Sequence, residues 1–280
     1  MMRNAKQHSH TAMNPNHPDV LCYELMSDLH MSQNWSAGKP NPDDMPAPDY
    51  VAVSILAGDL DTGLRESITT MERIQRAGRT IFAVDGNHEH YANAENGMNL
   101  NQTEAIFRNA AGGSIREIAP GLTLIGCNGW FMVDRLQAKW TDTRRGATIG
   151  PANEVTQKAI EQARWLDDEL KKIEGKALVV THTLPAESLV RRQWEGHPGN
   201  DLVFNPMMDR VALRHRKKIL AWHCGHTHTR FLDRLHGIPV ICNPRGFAHE
   251  NGDWAPVRCG VNLNTMTWMG VQAGSGFSEP

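Results

Sequence analysis

Five apolar, strand-like runs of this chain are each followed at once by side chains that can bind metal ions. Short apolar runs of this kind, bounded by glycine and polar residues, predict buried strands. The runs and their following residues are Val20–Met26 with Asp28 and His30, Val51–Ala57 with Asp59, Thr80–Val84 with Asn87 and His88, Ala177–Thr181 with His182, and Ile219–His223 with His226 and His228. Because ligand sites of open α/β sheets form outside the carboxyl ends of the strands, this order predicts one shared site.

Helical patterns separate several of these runs, which indicates an α/β fold. Leu64, Ile68, Met71 and Ile74 can share one helical face and predict a helix over Leu64–Ala77. Further helices are predicted over Gln102–Ala110, Val155–Ile173 and Pro206–Lys217. Further strands are predicted over Leu122–Cys127 and, as an antiparallel set with a hairpin at Leu263–Met266, over Phe231–Leu235, Ile238–Cys242, Gly260–Leu263 and Met266–Val271.

Length and composition favour one globular domain. The chain has 280 residues, enough for one sizeable core, and we find neither an internal repeat nor a clear linker. We expect a disordered lead-in over residues 1–19, a single domain over 20–272 and a flexible tail over 273–280. The polar lead-in does not resemble a secretory signal, and no apolar run approaches the ~20 residues of a membrane-spanning helix.

Charge and cysteine content restrict the partners and the compartment. The chain has 29 basic and 31 acidic residues, so its net charge of −2 provides no global field that would recruit nucleic acid or anionic membrane. The five cysteines are odd in number and widely spaced, which argues against a disulfide framework or a structural zinc site. Cys22 and Cys242 lie within apolar runs and are predicted to be buried thiols. A reducing cytoplasm is the expected location.

The types of side chain at the strand ends indicate which metals would bind. Imidazole together with carboxylate suits Zn, Fe, Mn, Ni or Co, whereas an all-oxygen site would suit Mg or Ca. Seven potential ligands exceed what one ion can use, so we predict two ions ~3.5–4 Å apart that share a carboxylate and hold a hydroxide between them. Gly58, Gly86 and Gly225 flank these ligands and are expected to permit sharp turns and close backbone approach.

Each of these motifs alone is weak. A lone His182 at a strand end is more often a structural histidine than a ligand, and Asn87-His88 alone could be a turn. The pair His226 and His228 is more informative, because two imidazoles two residues apart can face one metal pair. The complete set in this order favours a metal site over unrelated core and turn residues.

The order Asp-x-His, Gly-Asp, Gly-Asn-His-Glu, His and Gly-His-Thr-His, over about residues 20–250, resembles the calcineurin-like metallophosphoesterase superfamily. The resemblance implies a four-layer α-β-β-α sandwich of two mixed sheets, with a metal pair at the strand ends. It implies one metal held by Asp28, His30, Asp59 and His228, and a second held by Asp59, Asn87, His182 and His226. It also implies that His88 donates a proton or orients the substrate.

Two positions depart from the pattern of that superfamily. Asp85 precedes Gly86 where many relatives have proline, and Thr183 follows His182 where several phosphodiesterase-like relatives have a second histidine. Neither departure removes a ligand, but both bear on substrate preference.

The segment Val240–Phe247, with Glu250 after it, is similar to a C-terminal motif of a bacterial and phage subgroup of the superfamily. Within it, Arg245 is interpreted either as a phosphate contact, since guanidinium matches phosphate in a two-pronged geometry, or as a structural partner of Glu250 or an aspartate. Asn243 is expected to orient a histidine of the metal site.

Aromatic and basic residues in the loop-like stretches have a second interpretation. Trp35, Trp130 and Trp140 could stack on a base at the rim of the site, although buried loop anchors are the favoured interpretation. Arg144 and Arg145 are interpreted as part of a solvated loop, and Trp165 and Trp222 as core residues.

The sequence therefore predicts a metal-dependent hydrolase of phosphomonoesters or phosphodiesters. The expected substrate is small or nucleotide-like, and manganese is the expected metal in vitro, with Fe, Zn, Ni or Co as alternatives. A metal-dependent nuclease and a non-catalytic metal-binding scaffold are the competing functions. A lipid phosphoesterase at a membrane surface ranks third, because the apolar face of Pro206–Lys217 is small. No sequence feature indicates the oligomeric state.

Overall fold

The computed structural model describes residues 17–34, 41–42, 44, 48–91, 93, 96–133, 149, 151–192 and 202–272. The strands are β1 Val20–Met26, β2 Val51–Ala57, β3 Ile81–Val84, β4 Ile115–Ala119, β5 Leu122–Cys127, β6 Lys176–Thr181, β7 Ile219–Cys224, β8 Phe231–Leu235, β9 Ile238–Cys242, β10 Val257–Asn262 and β11 Thr267–Val271. The helices are α1 Met31–Asn34, α2 Leu64–Arg76, α3 Leu100–Ala110, α4 Ala152–Lys172 and α5 Pro206–His215, and two short 3-10 turns span His88–His90 and Glu187–Leu189.

The strands form two mixed sheets. The first has five strands in the order β11-β10-β1-β2-β3, in which β1, β2 and β3 are parallel and β10 and β11 are antiparallel to their neighbours. The second has six strands in the order β4-β5-β6-β7-β9-β8, with a parallel centre and an antiparallel strand at each edge. All parallel strands of one sheet end at the same edge, which is where the predicted ligands follow.

The central strands are apolar because both of their faces are covered. Tyr23, Leu25, Ile55 and Val180 belong to one buried cluster that joins the two sheets face to face. A second cluster packs α4 and α5 on the outer face of the six-stranded sheet, and a third packs α2 and α3 on the outer face of the five-stranded sheet. The result is the expected α-β-β-α sandwich, in which central parallel strands are buried on both sides.

Local sequence explains where the helices begin. Asn99 and Gln102 form a reciprocal capping box at the start of α3. The side chain of Asn205 accepts a hydrogen bond from the backbone of Met207, and Pro206 occupies the first turn of α5. These caps satisfy backbone N–H groups that have no partner within the helix.

The predicted elements are present with small shifts in their ends, and one strand was missed. β4, at residues 115–119, has no fully buried residue, so it lacks the apolar run by which a strand is recognised. β10 begins earlier than predicted, at Val257, and α5 ends earlier, at His215. The turn between β10 and β11 is closed by Asn262, whose side chain accepts from the backbone of Thr265.

The structure also bears on the predictions for the cysteines, the tryptophans and membrane-spanning helices. All five cysteines are buried thiols, including Cys22 and Cys242. Trp130 and Trp222 are fully buried, the first as a loop anchor and the second in the core. None of the described helices has the length and apolar composition needed to cross a bilayer. Trp35, Trp140, Arg144, Arg145, residues 1–16 and residues 273–280 lie outside the described residues.

Candidate metal centre

The fold brings all seven predicted ligands to one end of the two sheets. Asp28, His30, Asp59 and Asn87 follow strands of the five-stranded sheet. His182, His226 and His228 follow strands of the six-stranded sheet. Three groups of side chains place one ligand atom each within 4.8 Å of one another: Asp28, His30 and His228; His30, Asp59 and His88; and Asp59, His182 and His226. Residues far apart in sequence therefore converge from both sheets.

We call Asp28, His30 and His228 the His30 cluster. The Nε2 atoms of His30 and His228 are 3.1 Å apart, and the Nε2 atom of His228 is 3.5 Å from Oδ1 of Asp28. Two nitrogen atoms bound at right angles to one transition metal, each ~2.1 Å from it, are separated by ~3.0 Å. The spacing of these imidazoles therefore fits a shared cation.

We call Asp59, His182 and His226 the His182 cluster. The Nε2 atom of His182 is 3.1 Å from Nδ1 of His226 and 3.3 Å from Oδ2 of Asp59. It is also 3.0 Å from Oδ1 of Asn87. Two nitrogen and two oxygen atoms thus converge on one point, a donor set that suits a transition metal.

Asp59 connects the two clusters through one oxygen atom. Its Oδ2 is 3.3 Å from Nε2 of His182 and 4.0 Å from Nε2 of His30, so it faces both. Its Oδ1 accepts a hydrogen bond of 2.8 Å from the backbone of His88, which fixes the carboxylate plane. The residue is 1% exposed. Asp59 thus has the position that a bridging ligand requires.

Charge is concentrated on Asp59 and His182. Burial lowers the pKa of His182, but the charge and hydrogen bond of Asp59, the charge of Asp28 and the carbonyl of Ala57 together raise it to about 10. Burial likewise raises the pKa of Asp59, and the imidazoles of His182 and His88 hold it well below its usual range. A proton on His182 therefore occupies the place that a cation would take, and metal binding would displace it.

The remaining ring nitrogens of two histidines bond to backbone carbonyls. Nδ1 of His182 lies 2.9 Å from the carbonyl oxygen of Ala57, and Nε2 of His226 lies 3.0 Å from that of Leu202. A carbonyl can only accept, so each of these nitrogens carries a hydrogen, and the opposite nitrogen is the one that can offer a lone pair to a metal in the His182 cluster. Both rings are therefore oriented so that they could bind a metal.

His228 is held by a carboxylate, which sequence reasoning did not assign. Oε2 of Glu250 lies 2.6 Å from Nδ1 of His228 and accepts a second hydrogen bond, of 2.7 Å, from the backbone of Phe247. The carboxylate acts as the acceptor behind the ring and directs Nε2 of His228 into the His30 cluster. From the sequence, Glu250 is predicted only as an alternative partner of Arg245.

Two predictions for the same segment need correction. Asn243 orients no histidine, because its amide nitrogen donates to the carbonyl oxygens of Leu25 and Ala255. Arg245 is 0% exposed, and its guanidinium donates to the carbonyl oxygen of Leu29 and the side chain of Asn41. Solvent does not reach it, so the geometry favours the structural interpretation over a phosphate contact.

Backbone strain coincides with the predicted ligands. Asp28, His30, Asp59, His226 and His228 have φ values of 50°, 42°, 54°, 71° and 52°. Positive φ is uncommon for residues other than glycine and costs on the order of 1–3 kcal/mol when the surroundings enforce it. Such strain clusters at functional sites, because the fold must aim these side chains at one point.

Glycines make room for the ligands. A Cβ atom at Gly58 would lie 2.4 Å from Nδ1 of His182, and one at Gly225 would lie 2.5 Å from Oδ2 of Asp28. Gly86 is equally close to a neighbouring carboxylate. The predicted close approach is present at all three positions, whereas positive φ is found only at Gly58 among them.

Replacing Gly225 with alanine is expected to displace Asp28 and weaken the site. The added methyl group meets a buried carboxylate and the carbonyl oxygen of Ala57, so we expect a loss of about 1–3 kcal/mol in the free energy of unfolding. Urea denaturation measures this loss. Gly252→Ala is the matched control, because no atom lies within 4 Å of the new Cβ there. Equal stability of the two variants would contradict the steric argument.

His88 lies between the clusters without belonging to either. Its Nε2 is 3.9 Å from Oδ2 of Asp59, and its Nδ1 forms a 3.2 Å hydrogen bond with the hydroxyl of Thr62. The residue is 5% exposed. The hydroxyl can accept from Nδ1–H of the imidazolium form, which leaves a second N–H on Nε2 directed toward the space in front of Asp59.

Glu89, the last residue of Gly-Asn-His-Glu, supports the loops behind the ligands. Its carboxylate accepts backbone hydrogen bonds from Asp59, Leu60 and Gly86 at 3.1, 2.8 and 2.6 Å, and a further one from the hydroxyl of Ser67. Burial and the Asp59 carboxylate raise the pKa of Glu89 to about 8. The buried carboxylate of Glu89 thus joins the loop after β2 to the loop after β3.

The two departures noted in the sequence have structural roles. Asp85 accepts a 2.7 Å hydrogen bond from Nε2 of His90, whose ring packs edge-on against Trp130. Thr183 donates to the carbonyl oxygen of Gly129 and is 1% exposed. Both side chains brace the loops that hold the site.

Comparisons with known proteins agree with this geometry. A sequence model described as calcineurin-like phosphoesterase matches residues 25–230. The phosphopantetheinyl hydrolase of Mycobacterium tuberculosis has a similar structure, with a TM-score of 0.62 and 14% identity over 81% of this chain and 89% of that one. A dimetal phosphatase of Danio rerio has a TM-score of 0.54 and 14% identity over 85% and 92%.

Among curated protein sequences, no match is found. The two structural similarities, at such low identity, show the fold alone. The family match covers most of the chain and includes all seven converging side chains, together with His88. The chain therefore belongs to the calcineurin-like phosphoesterase family and is a metal-dependent phosphoesterase.

Proposed function

We propose that the chain hydrolyses small phosphoesters with the help of two metal ions. One observation carries this proposal: Oδ2 of Asp59 faces two clusters at once, each with a pair of imidazole nitrogens 3.1 Å apart. Asp28, His30, Asp59 and His228 would hold one ion. Asp59, Asn87, His182 and His226 would hold the other.

The chain's own residues prepare the reaction. When bound, the two ions would lower the pKa of a water molecule between them and neutralise charge on the phosphoryl oxygens. His88 directs Nε2 toward the space that the phosphoryl group would enter, so it can protonate the leaving oxygen. Thr62 fixes the ring of His88 through Nδ1. The deep burial of Asp59 and His30 shields these two side chains from bulk water, which strengthens their electrostatic interactions.

Manganese is the proposed metal for tests in vitro, with Fe, Zn, Ni and Co as alternatives. A mixed nitrogen and oxygen donor set accommodates each of these, so metal supply would decide occupancy. A cytoplasmic location and the bacterial or phage subgroup stay predictions of the sequence. The buried Arg245 adds no basic surface to the site, and nothing in the described residues favours a nuclease.

The test is hydrolysis in Mn²⁺ of an aryl phosphomonoester, an aryl phosphodiester, cyclic nucleotides and single-stranded DNA, with metal content measured on the same sample. We expect turnover of small esters with two metal ions per chain. Cleavage of DNA alone would support the nuclease alternative. Absence of turnover with metal bound would support the scaffold, and fewer than one ion per active chain would exclude the two-metal proposal.

Replacing Glu250 with glutamine is expected to weaken metal binding about 10- to 100-fold, because the charged acceptor behind His228 is lost. Competition with a chromophoric chelator measures the affinity. Glu161→Gln is the control, since Glu161 is an exposed residue of α4. An unchanged affinity in Glu250→Gln would show that the carboxylate does not support the metal site.

A further inference from the structure

Two half-buried aromatic rings lie against the histidines of the site. The ring of Phe247 stacks on that of His30, with centroids 4.6 Å apart and planes at 29°, and meets the ring of His228 edge-on at 4.7 Å. The ring of Tyr91 lies 4.3 Å from that of His88. Both aromatic residues retain exposure that His30 and His88 do not. They therefore stand between the buried histidines and the solvent.

Phe247 is held in place by groups that also serve the site. Gly246 has a φ of 69°, which turns the chain toward the His30 cluster. The backbone N–H of Phe247 and Nδ1 of His228 share one carboxylate oxygen of Glu250. The position of the ring is therefore coupled to that of a proposed metal ligand.

Tyr91 is coupled to the other side of the site. Its hydroxyl accepts a 2.7 Å hydrogen bond from the amide nitrogen of Asn87, which directs Oδ1 of Asn87 toward His182. The ring of Tyr91 is tilted at 44° against that of His88. The centroid of the His88 ring lies 4.3 Å from that of Tyr91 and 6.2 Å from that of Phe247.

The burial of the site separates two parts of any substrate. His30 is 0% and His88 5% exposed, so a phosphoryl group that reacts beside them would be the deepest part of a bound substrate. The group attached to the leaving oxygen would then extend toward solvent, past the more exposed Phe247 and Tyr91. Flat π-systems pack favourably on such rings, whereas a small aliphatic alcohol gains little there.

We propose that Phe247 and Tyr91 are specificity-determining residues that select phosphoesters whose leaving alcohol carries a flat aromatic ring near the phosphate. This inference rests on the proposed function. The shared chemistry is the aromatic ring, whether it belongs to a nucleoside or to an aryl alcohol.

The test compares substrates that differ only in the ring. The first pair is adenosine monophosphate and ribose phosphate, with the phosphate on the same ribose hydroxyl in both. The second pair is phenylethyl phosphate and butyl phosphate. In each pair only the first member bears an aromatic ring. Within each pair the leaving groups are similar alcohols, so intrinsic reactivity is matched. We expect kcat/KM to favour the ring-bearing member by about 5- to 100-fold, the range of one base–aromatic stacking contact. Preference in the first pair alone indicates a nucleoside, and in both pairs an aryl group in general.

Variants then locate the preference. Phe247→Leu and Tyr91→Leu should each lower the ratio of kcat/KM within a pair several-fold, whereas Phe247→Trp should retain it. Tyr50→Leu is the matched control, because Tyr50 is a half-buried aromatic residue that precedes β2, at the end opposite the site. Metal content is measured for every variant. A variant that displaces His30 and loses metal can then be distinguished from one that loses only selectivity.

A second readout does not depend on turnover. Saturation-transfer NMR with adenosine should show contact of the base protons with the wild-type protein and a weaker signal with Phe247→Leu. Two outcomes would overturn the inference and leave the proposed function intact. In one, the wild-type kcat/KM ratio within each substrate pair is near one. In the other, neither leucine variant changes that ratio or the NMR signal. No hydrolysis of any ester, with base contact still present, would instead refute the proposed function.

Discussion

Asp59→Asn is expected to lose metal binding and hydrolysis together. Asp59 offers one oxygen atom to both clusters, so a neutral amide in its place weakens both ions at once. We expect kcat/KM to fall about 10³-fold or more, since cations in such sites contribute several kcal/mol of transition-state stabilisation. The fold should survive, because Oδ1 of asparagine can still accept the backbone hydrogen bond of His88.

Metal analysis by mass spectrometry and steady-state kinetics measure the two effects on one preparation. Asp209→Asn serves as the control, because Asp209 is an exposed partner of His236 on the surface. A variant that keeps two ions per chain, or one that loses a single ion with full activity, would be incompatible with a bridging role for Asp59.

His88→Ala should separate metal binding from catalysis. His88 belongs to neither cluster and directs Nε2 toward the substrate space, so its removal leaves the ligands in place. We expect metal content to stay near the wild-type level and kcat to fall about 10²- to 10⁴-fold, the range for a positioned proton donor. The deficit should shrink for a nitrophenyl ester, whose acidic leaving group needs little protonation.

His236→Ala is the control for this variant, since His236 is an exposed histidine that lies in neither cluster and pairs with Asp209. His88 also lies within 4.8 Å of His30 and Asp59 through its ring nitrogen. Loss of metal in parallel with activity would therefore identify His88 as a ligand. An equal deficit for alkyl and nitrophenyl esters would indicate that it orients the substrate and donates no proton.

The convergence of ligands could be predicted because parallel strands end at one edge. Asp28, Asp59 and His182 each follow an apolar run, and the ends of such runs meet in an α/β sheet. The glycines among them supplied a second clue, since close approach of the backbone needs a residue without Cβ.

The supporting contacts could not be predicted, because they join residues that no local pattern connects. Glu250 reaches His228 across a turn, and Leu202 reaches His226 through a backbone carbonyl that carries no sequence signal. For Arg245 the sequence left a phosphate contact and a structural role open. Complete burial and a hydrogen bond to the carbonyl oxygen of Leu29 favour the structural role.

The two sheets contribute ligands to both clusters, and this arrangement has a thermodynamic consequence. A cation in either cluster would cross-link the two sheets. His30 and His228 follow strands of different sheets, and so do Asp59 and His182. Separation of the sheets during unfolding would then release the ions, so metal concentration enters the folding equilibrium. At a free metal concentration a thousand times the dissociation constant, one site adds about 4 kcal/mol to the stability of the native state. Resistance to heat would therefore vary with metal supply, and starvation for metal would expose the chain to unfolding as well as inactivation.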